Sequence, residues 1–244
     1  MRLKFNPATG DGTESVVPIP CQCQKEAYEA AERRAEREKF KLDMAQRWED
    51  GITDHKEMLR YRFADDDGQT PEILATCKRY VEQWEEMRAD NIGLLFYGSV
   101  GRGKSFYASC IANVLLEKMV PVAATDFPRL LNLLQNAKDR QKLIDRLRIY
   151  KLLVIDDLGA ERDSAYAAEQ VYSIINSRSR SEQPIIVTTN LTWEELENPS
   201  SMQYKRIYDR VLEMCPVRIK MVGESRRKGN AERRKEKARK LLLG

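Results

Sequence analysis

Apolar and polar positions follow two different rhythms along this chain, and the change falls near residue 91. Before it, polar residues dominate. Residues 24–50 are rich in Ala, Glu, Arg and Lys and contain no Gly or Pro, which predicts a charged helix ending near Gly51. Phe40, Met44 and Trp48 recur four apart and give that helix one apolar stripe, suited either to packing within its own domain or to docking a partner. Residues 60–70 read as a loop with a turn at Asp67-Gly68. Thr70-Pro71-Glu72 then starts a helix, with Thr70 as N-cap and Pro71 in the first position, that runs to about Ala89. Tyr80 and Trp84 are expected to pack on the domain that follows.

From residue 92 short apolar runs recur. Ile92–Tyr97, Val120–Thr125, Leu152–Ile155, Pro184–Thr188 and Val217–Val222 are predicted strands. Helical stretches separate them at Lys104–Lys118, Phe127–Asn136, Ala165–Arg180 and about 193–197 and 202–214. This alternation predicts an α/β fold, a parallel sheet sandwiched by helices, with a small helical N-terminal region. Residues 1–20, with Pro7, Pro18 and Pro20, read as irregular. The expected division is 1–90 as an N-terminal region, 91–223 as the α/β domain and 224–244 as a basic tail.

Chemistry enters where the first strand ends. Gly98-Ser99-Val100-Gly101-Arg102-Gly103-Lys104-Ser105 fits the P-loop pattern G-x-x-x-x-G-K-[ST], with an apolar strand before it and a helix after it. Glycines let backbone N–H groups turn inward around phosphate oxygens, and the following helix offers its positive end to the same anion. Lys104 is expected to reach the β- and γ-phosphates, and the Ser105 hydroxyl to ligate Mg²⁺. The run Leu152-Leu153-Val154-Ile155-Asp156-Asp157 supplies the second metal-binding acid at a strand end. Asp156 is the expected Mg²⁺ partner and Asp157 the expected general base toward the attacking water. Asn190 closes another apolar strand, either as a contact to the γ-phosphate or lytic water or as a turn former. The guanine-reading N-K-x-D signature is absent, which favours ATP. Arg206 and Arg210 lie four apart on one helical face, suited to transition-state charge on a neighbouring subunit's nucleotide or to surface ion pairs.

Composition narrows the setting. The chain has 244 residues, 33% of them charged, and no run of about 18 apolar residues, so no transmembrane helix is supported and a cytoplasmic protein is expected. Five scattered cysteines argue against a disulfide framework. The net charge of +4 is uneven: from Gly223 on, nine Lys or Arg stand against three Glu. That tail suits nucleic acid or an acidic partner, or is a solvated helix end.

The block from Ile92 to Lys228 resembles the AAA+ domain of helicase loaders of the DnaC/DnaI type, close to transposition helper ATPases of the IstB type. The resemblance is carried by GSVGRGKS, LLVIDDLGAER, IIVTTNLT, RIYDR and VGESRRK, and upstream by RYRFADDDG. It implies a P-loop NTPase of the AAA+ class that binds ATP and Mg²⁺ and hydrolyses ATP slowly. It further implies a hexameric replicative helicase and single-stranded DNA as partners and ATP-dependent association of copies, with no role for a membrane. The arginine of the Y-D-R motif, here Arg210, would act in trans, with Arg206 as accessory. The arginine after G-E-S would contact phosphate, which maps best to Arg227, with Arg226 blurring the register. Many loaders carry an N-terminal zinc module built from paired cysteines. Here only Cys21-Gln22-Cys23 remains, two thiolates cannot close a tetrahedral site, and no bound zinc is expected.

Overall fold

The computed structural model describes residues 21–48, 51–53, 60–160, 164–199, 201–223, 225–226, 235–236 and 238–242. Residues 1–20, His55, Arg227 and most of the basic tail therefore lie outside the described residues. The chain divides into two units, one ending at Ala45 and one beginning at Gln46.

Helix α1 runs Gln22–Trp48, as its Gly- and Pro-free composition predicts. Ion pairs such as Glu38–Lys41 along its surface contribute a few tenths of a kcal/mol each, about what exposed helix pairs give. Cys21 and Cys23 at its start are bonded to each other. Cys77, Cys110 and Cys215 are free and buried, so no disulfide joins distant parts of the described chain.

In the second unit, the expected helix from 71 to 89 is two helices, α2 (Pro71–Glu82) and α3 (Trp84–Ala89), broken at Gln83. Next come β1 (Leu94–Tyr97), α4 (Lys104–Glu117), β2 (Val122–Asp126), α5 (Phe127–Asn136), α6 (Arg140–Leu147) and β3 (Leu152–Leu158). The chain continues through α7 (Ala165–Arg180), β4 (Ile185–Thr189), α8 (Trp193–Glu197), α9 (Met202–Met214) and β5 (Val217–Lys220). The strands form one parallel sheet in the order β2-β3-β4-β1-β5. Helix α6 was not expected. Its sequence, RQKLIDRL, buries only Ile144 and Leu147 and starts on an Asp139 cap that accepts from the Lys142 N–H.

Alternation along the strands feeds two cores. Leu94, Phe96, Val122, Ala124, Leu152, Val154, Ile186 and Ile219 share one cluster with Tyr107 and Ile111 of α4 and with Cys77, Tyr80, Val81 and Trp84 of α2 and α3. Tyr80 and Trp84 thus pack on the α/β core as expected. The intervening residues Leu95, Leu153, Ile155, Ile185 and Val187 are equally buried on the opposite face, where α5 lies against β2 and β3, and α9 against β1 and α7.

The two edges of the sheet end differently. Along β2, the Trp48 indole N–H donates to the Val122 carbonyl at 3.3 Å. Along β5, Arg218 and Lys220 are exposed around the inward-facing Ile219. At the opposite end of the sheet from the P-loop, Arg178 of α7 is 1% exposed. It donates to the carbonyls of Leu147, Tyr150, Lys151 and Pro184 at 2.6–3.2 Å, which gathers the chain where β3 and β4 begin.

Candidate functional site

A parallel sheet sends all its strand ends to one side, so the loops after β1, β3 and β4 meet there. β1 passes through Gly98–Gly103 into α4. Gly98, Gly101 and Gly103 have φ of +115°, +82° and +94°, backbone states that a Cβ would strain, so this loop must be glycine-rich to curl as it does. Gly103 takes the N-cap position of α4, leaving the first N–H groups of that helix without intrahelical acceptors. A backbone nest at a helix N-terminus is built for an anion.

Lys104 is the first residue of α4 and is 5% exposed. Its ammonium donates to Gly98 O at 2.7 Å, Ser99 O at 2.9 Å and Asn190 Oδ1 at 2.7 Å. Three donors meet three acceptors, which offsets a desolvation cost of several kcal/mol. Asn190 also donates through Nδ2 to Asp157 Oδ1 at 3.2 Å. The P-loop lysine, the amide after β4 and the second acid of β3 are therefore one connected chain.

A second chain lies alongside. Ser105 Oγ donates to the Asp156 carboxylate, at 2.7 Å to Oδ2 and 2.9 Å to Oδ1. The Thr188 hydroxyl donates to the same carboxylate and accepts from the Asp157 N–H at 3.1 Å. Burial pushes the Asp156 carboxyl above its usual range; Thr188 and Ser105 pull the other way, Asp157 adds to the rise, and Lys104 opposes it. Asp156 therefore sits where a cation would relieve it. A hydroxyl and a carboxylate facing each other are hard oxygen donors of the kind Mg²⁺ selects, so the residues fit that ion.

Two adjacent acids on a regular strand would point to opposite faces. Here the register between β3 and β4 shifts between Ile155 and Leu158, and Asp157 has φ of +57°. This bulge turns both carboxylates toward the P-loop side, one to Ser105 and one to Asn190. A cleft of about 270 Å³ opens beside the loop, lined by Gly98, Ser99, Arg102, Asn190, Trp193 and Lys220.

The site residues expected from sequence divide into three groups. Gly98 to Ser105, Asp156, Asp157 and Asn190 are brought together. Arg206 and Arg210 are not: Arg210 binds Glu213 at 3.2 Å, Arg206 is exposed on α9, and neither contacts the P-loop or the β3 acids of its own chain. Arg227 lies outside the described residues, while Arg226 is against the P-loop, its backbone N–H donating to Gly101 O at 2.8 Å. Sequence reasoning missed Thr188, whose only signal is a hydroxyl two residues before Asn190. It also missed the use of Thr70, whose side chain makes no cap bond and instead pairs with Tyr107 Oη at 2.7 Å.

Residues 26–235 match the family of IstB-like ATP binding proteins. The chain belongs to that family. Among its relatives, the replicative helicase loader DnaI of Bacillus subtilis is 29% identical over 149 residues, 55% of this chain and 47% of DnaI. The replicative helicase loader DnaC of Escherichia coli K12 is 27% identical over 143 residues, 57% of this chain and 56% of DnaC. The chain spans about half the length of the curated relatives it matches. A crystal structure of DnaI superposes with a TM-score of 0.58 at 24% identity, covering 70% of this chain and 93% of that one, a likeness of fold. The AAA+ P-loop architecture expected from the resemblance is thus the one observed. No helix among the described residues is long and apolar enough to cross a membrane.

Proposed function

We propose that this member of the IstB-like family is a slow ATPase that loads a hexameric replicative DNA helicase onto single-stranded DNA. The observation that carries the ATPase reading is the unbroken link from Lys104 through Asn190 to Asp157, beside the Ser105–Asp156 pair. On this reading the nest at 98–103 and the Lys104 ammonium hold the phosphates. Ser105 and Asp156 would hold Mg²⁺, which would supply charge neutralisation to the triphosphate. Asp157 accepts the proton of the attacking water as its oxygen bonds to the γ-phosphorus and the bond to the β–γ bridging oxygen breaks, releasing ADP. Asn190 keeps Asp157 and Lys104 in register. Lys104 exchanges its two loop carbonyls for phosphate oxygens when the nucleotide enters.

Arg210 completes the site of a neighbouring copy, with Arg206 beside it; its half-buried position on α9, away from its own P-loop, supports a role in trans. Arg227 contributes to phosphate binding. The loading role is supported by the names of the relatives, DnaI and DnaC. Residues 1–90 dock the helicase, residues 91–223 form the ATPase and residues 224–244 meet DNA phosphates, all in the cytoplasm. The family description supports a second reading, a transposition helper ATPase that activates a transposase.

Co-purification with a hexameric replicative helicase in the presence of ATP, together with ATPase assays with and without single-stranded DNA, tests the proposal. Retention of the helicase and DNA-stimulated hydrolysis are expected. Retention of a transposase instead would select the second reading, and no hydrolysis under either condition would remove the enzymatic one.

A further inference from the structure

The segment just before the α/β core carries three polar residues that the reading above leaves unused: Asp66, Asp67 and Thr70. All three converge on Arg226, 156 residues downstream of Thr70. Arg226 Nη2 lies 3.0 Å from Asp67 Oδ1, 2.9 Å from Thr70 Oγ1, 3.3 Å from Tyr107 Oη and 4.0 Å from Asp66 Oδ2. Tyr107 in turn donates to Asp66 Oδ2 at 2.5 Å. The guanidinium rests 5.3 Å and 5.8 Å from the ring centroids of Tyr107 and Phe106. The Arg226 side chain is 14% exposed and that of Asp66 4%, so this is a built pocket and not a surface ion pair.

The guanidinium is engaged through one nitrogen only. Every acceptor is on Nη2, and among the described residues neither Nη1 nor Nε has a hydrogen-bond partner. Nη1 lies over the P-loop: a Cβ built on Gly103 would be 2.7 Å from it. Both parallel N–H pairs of a guanidinium include Nη2, so with Nη2 held the group left over the loop for an anion is the Nη1 N–H, and it serves best when its orientation is already fixed.

We propose that Asp66, Asp67 and Thr70 are positioning residues for ATP binding: they clamp Nη2 so that Arg226 holds its Nη1 N–H toward phosphate above Gly103. This inference rests on the ATP reading and deepens it. The clamp also joins the nucleotide site to the segment that leads back toward the N-terminal region, so a partner that shifts residues 66–70 changes nucleotide affinity.

Titration of the full chain with a fluorescent ATP analogue tests this, using wild type, Lys104→Ala, Asp67→Asn, Thr70→Val, Arg226→Ala, Arg226→Lys and the Asp67→Asn/Arg226→Ala pair. Loss of one charge-assisted contact predicts about a tenfold weakening for Arg226→Ala, and Asp67→Asn and Thr70→Val about fivefold. Arg226→Lys does not restore binding, because an ammonium keeps the charge but has no second nitrogen to place over Gly103 while the first is held. The decisive value is the double variant, expected within about twofold of Arg226→Ala alone. A further fivefold loss in that background would assign Asp67 a merely structural role and overturn the clamp. So would unchanged affinity in both Asp67→Asn and Thr70→Val. Wild type without affinity, or Lys104→Ala with full affinity, would instead remove the ATP reading on which the clamp stands.

Discussion

Two buried cations hold backbone carbonyls at opposite ends of the same sheet. Lys104 sits where the strands finish and Arg178 where β3 and β4 begin. Lys104 is 5% exposed and Arg178 1%, and burial lowers the Arg178 pKa to about 9, so it remains a cation at neutral pH. The difference lies in what the acceptors can do. Those of Arg178 are main-chain oxygens of segments that lead into strands and are held in place by the sheet. Those of Lys104 are two carbonyls of a glycine-rich loop and one side-chain amide, groups that can let go. A ligand anion can outbid the second set and not the first. One cation closes the fold, the other awaits an exchange, and burial alone does not tell them apart.

Substitutions should separate the two. The largest effect is expected for Arg178→Met, which removes a donor from four carbonyls and should cost about 4 kcal/mol of unfolding free energy. Denaturant melts measure it, and a loss below about 1 kcal/mol would show that water or repacking satisfies those carbonyls. Lys104→Ala should leave the melt close to wild type and weaken ATP binding about a hundredfold, near 2.7 kcal/mol. Equilibrium nucleotide titration checks this, and a large fall in stability with intact binding would make Lys104 a second Arg178. Asn190→Ala should spare ATP binding and lower single-turnover hydrolysis about tenfold, as for one misoriented catalytic group. If affinity and rate fell together, the amide would be a binding group and not a link to Asp157. Thr188→Val, nearly isosteric, should reduce the hydrolysis rate about fivefold, the loss of one hydrogen bond to a charged group, and raise the Mg²⁺ concentration needed for half-maximal rate. An unchanged Mg²⁺ requirement would mean that Ser105 alone orients Asp156.

The same contrast explains what could be read in advance. Gly98 to Ser105 and Asp156-Asp157 are legible because their chemistry is contiguous: a glycine spacing and an apolar run ending in acid carry their own context. The strand order that places β4 between β3 and β1 has no such local mark, so Thr188 could not be assigned as the partner of Asp156. Arg178 has the sequence signature of any basic residue at a helix end, because its four acceptors come from two stretches distant in sequence from it or lying across a turn, 147–151 and Pro184. Thr70 fitted the N-cap pattern and occupies that position, yet a buried phenol and a distant guanidinium claim its hydroxyl. The adjacent arginines 226 and 227 give no local reason to prefer either; the packing of Arg226 against Phe106, Tyr107 and the acidic segment shows that Arg226 is at the loop. The bulge at Asp157 was equally hidden, since the run from Leu152 reads as an uninterrupted strand.

The unequal borders of the sheet bear on how copies of this protein can meet. A bare strand edge invites a neighbour to zip on through its main chain, a union hard to undo and indifferent to nucleotide. Trp48 plugs one border by occupying a Val122 acceptor, and Arg218 and Lys220 make the other repel a like strand. Any gathering of subunits is thereby diverted to side-chain surfaces.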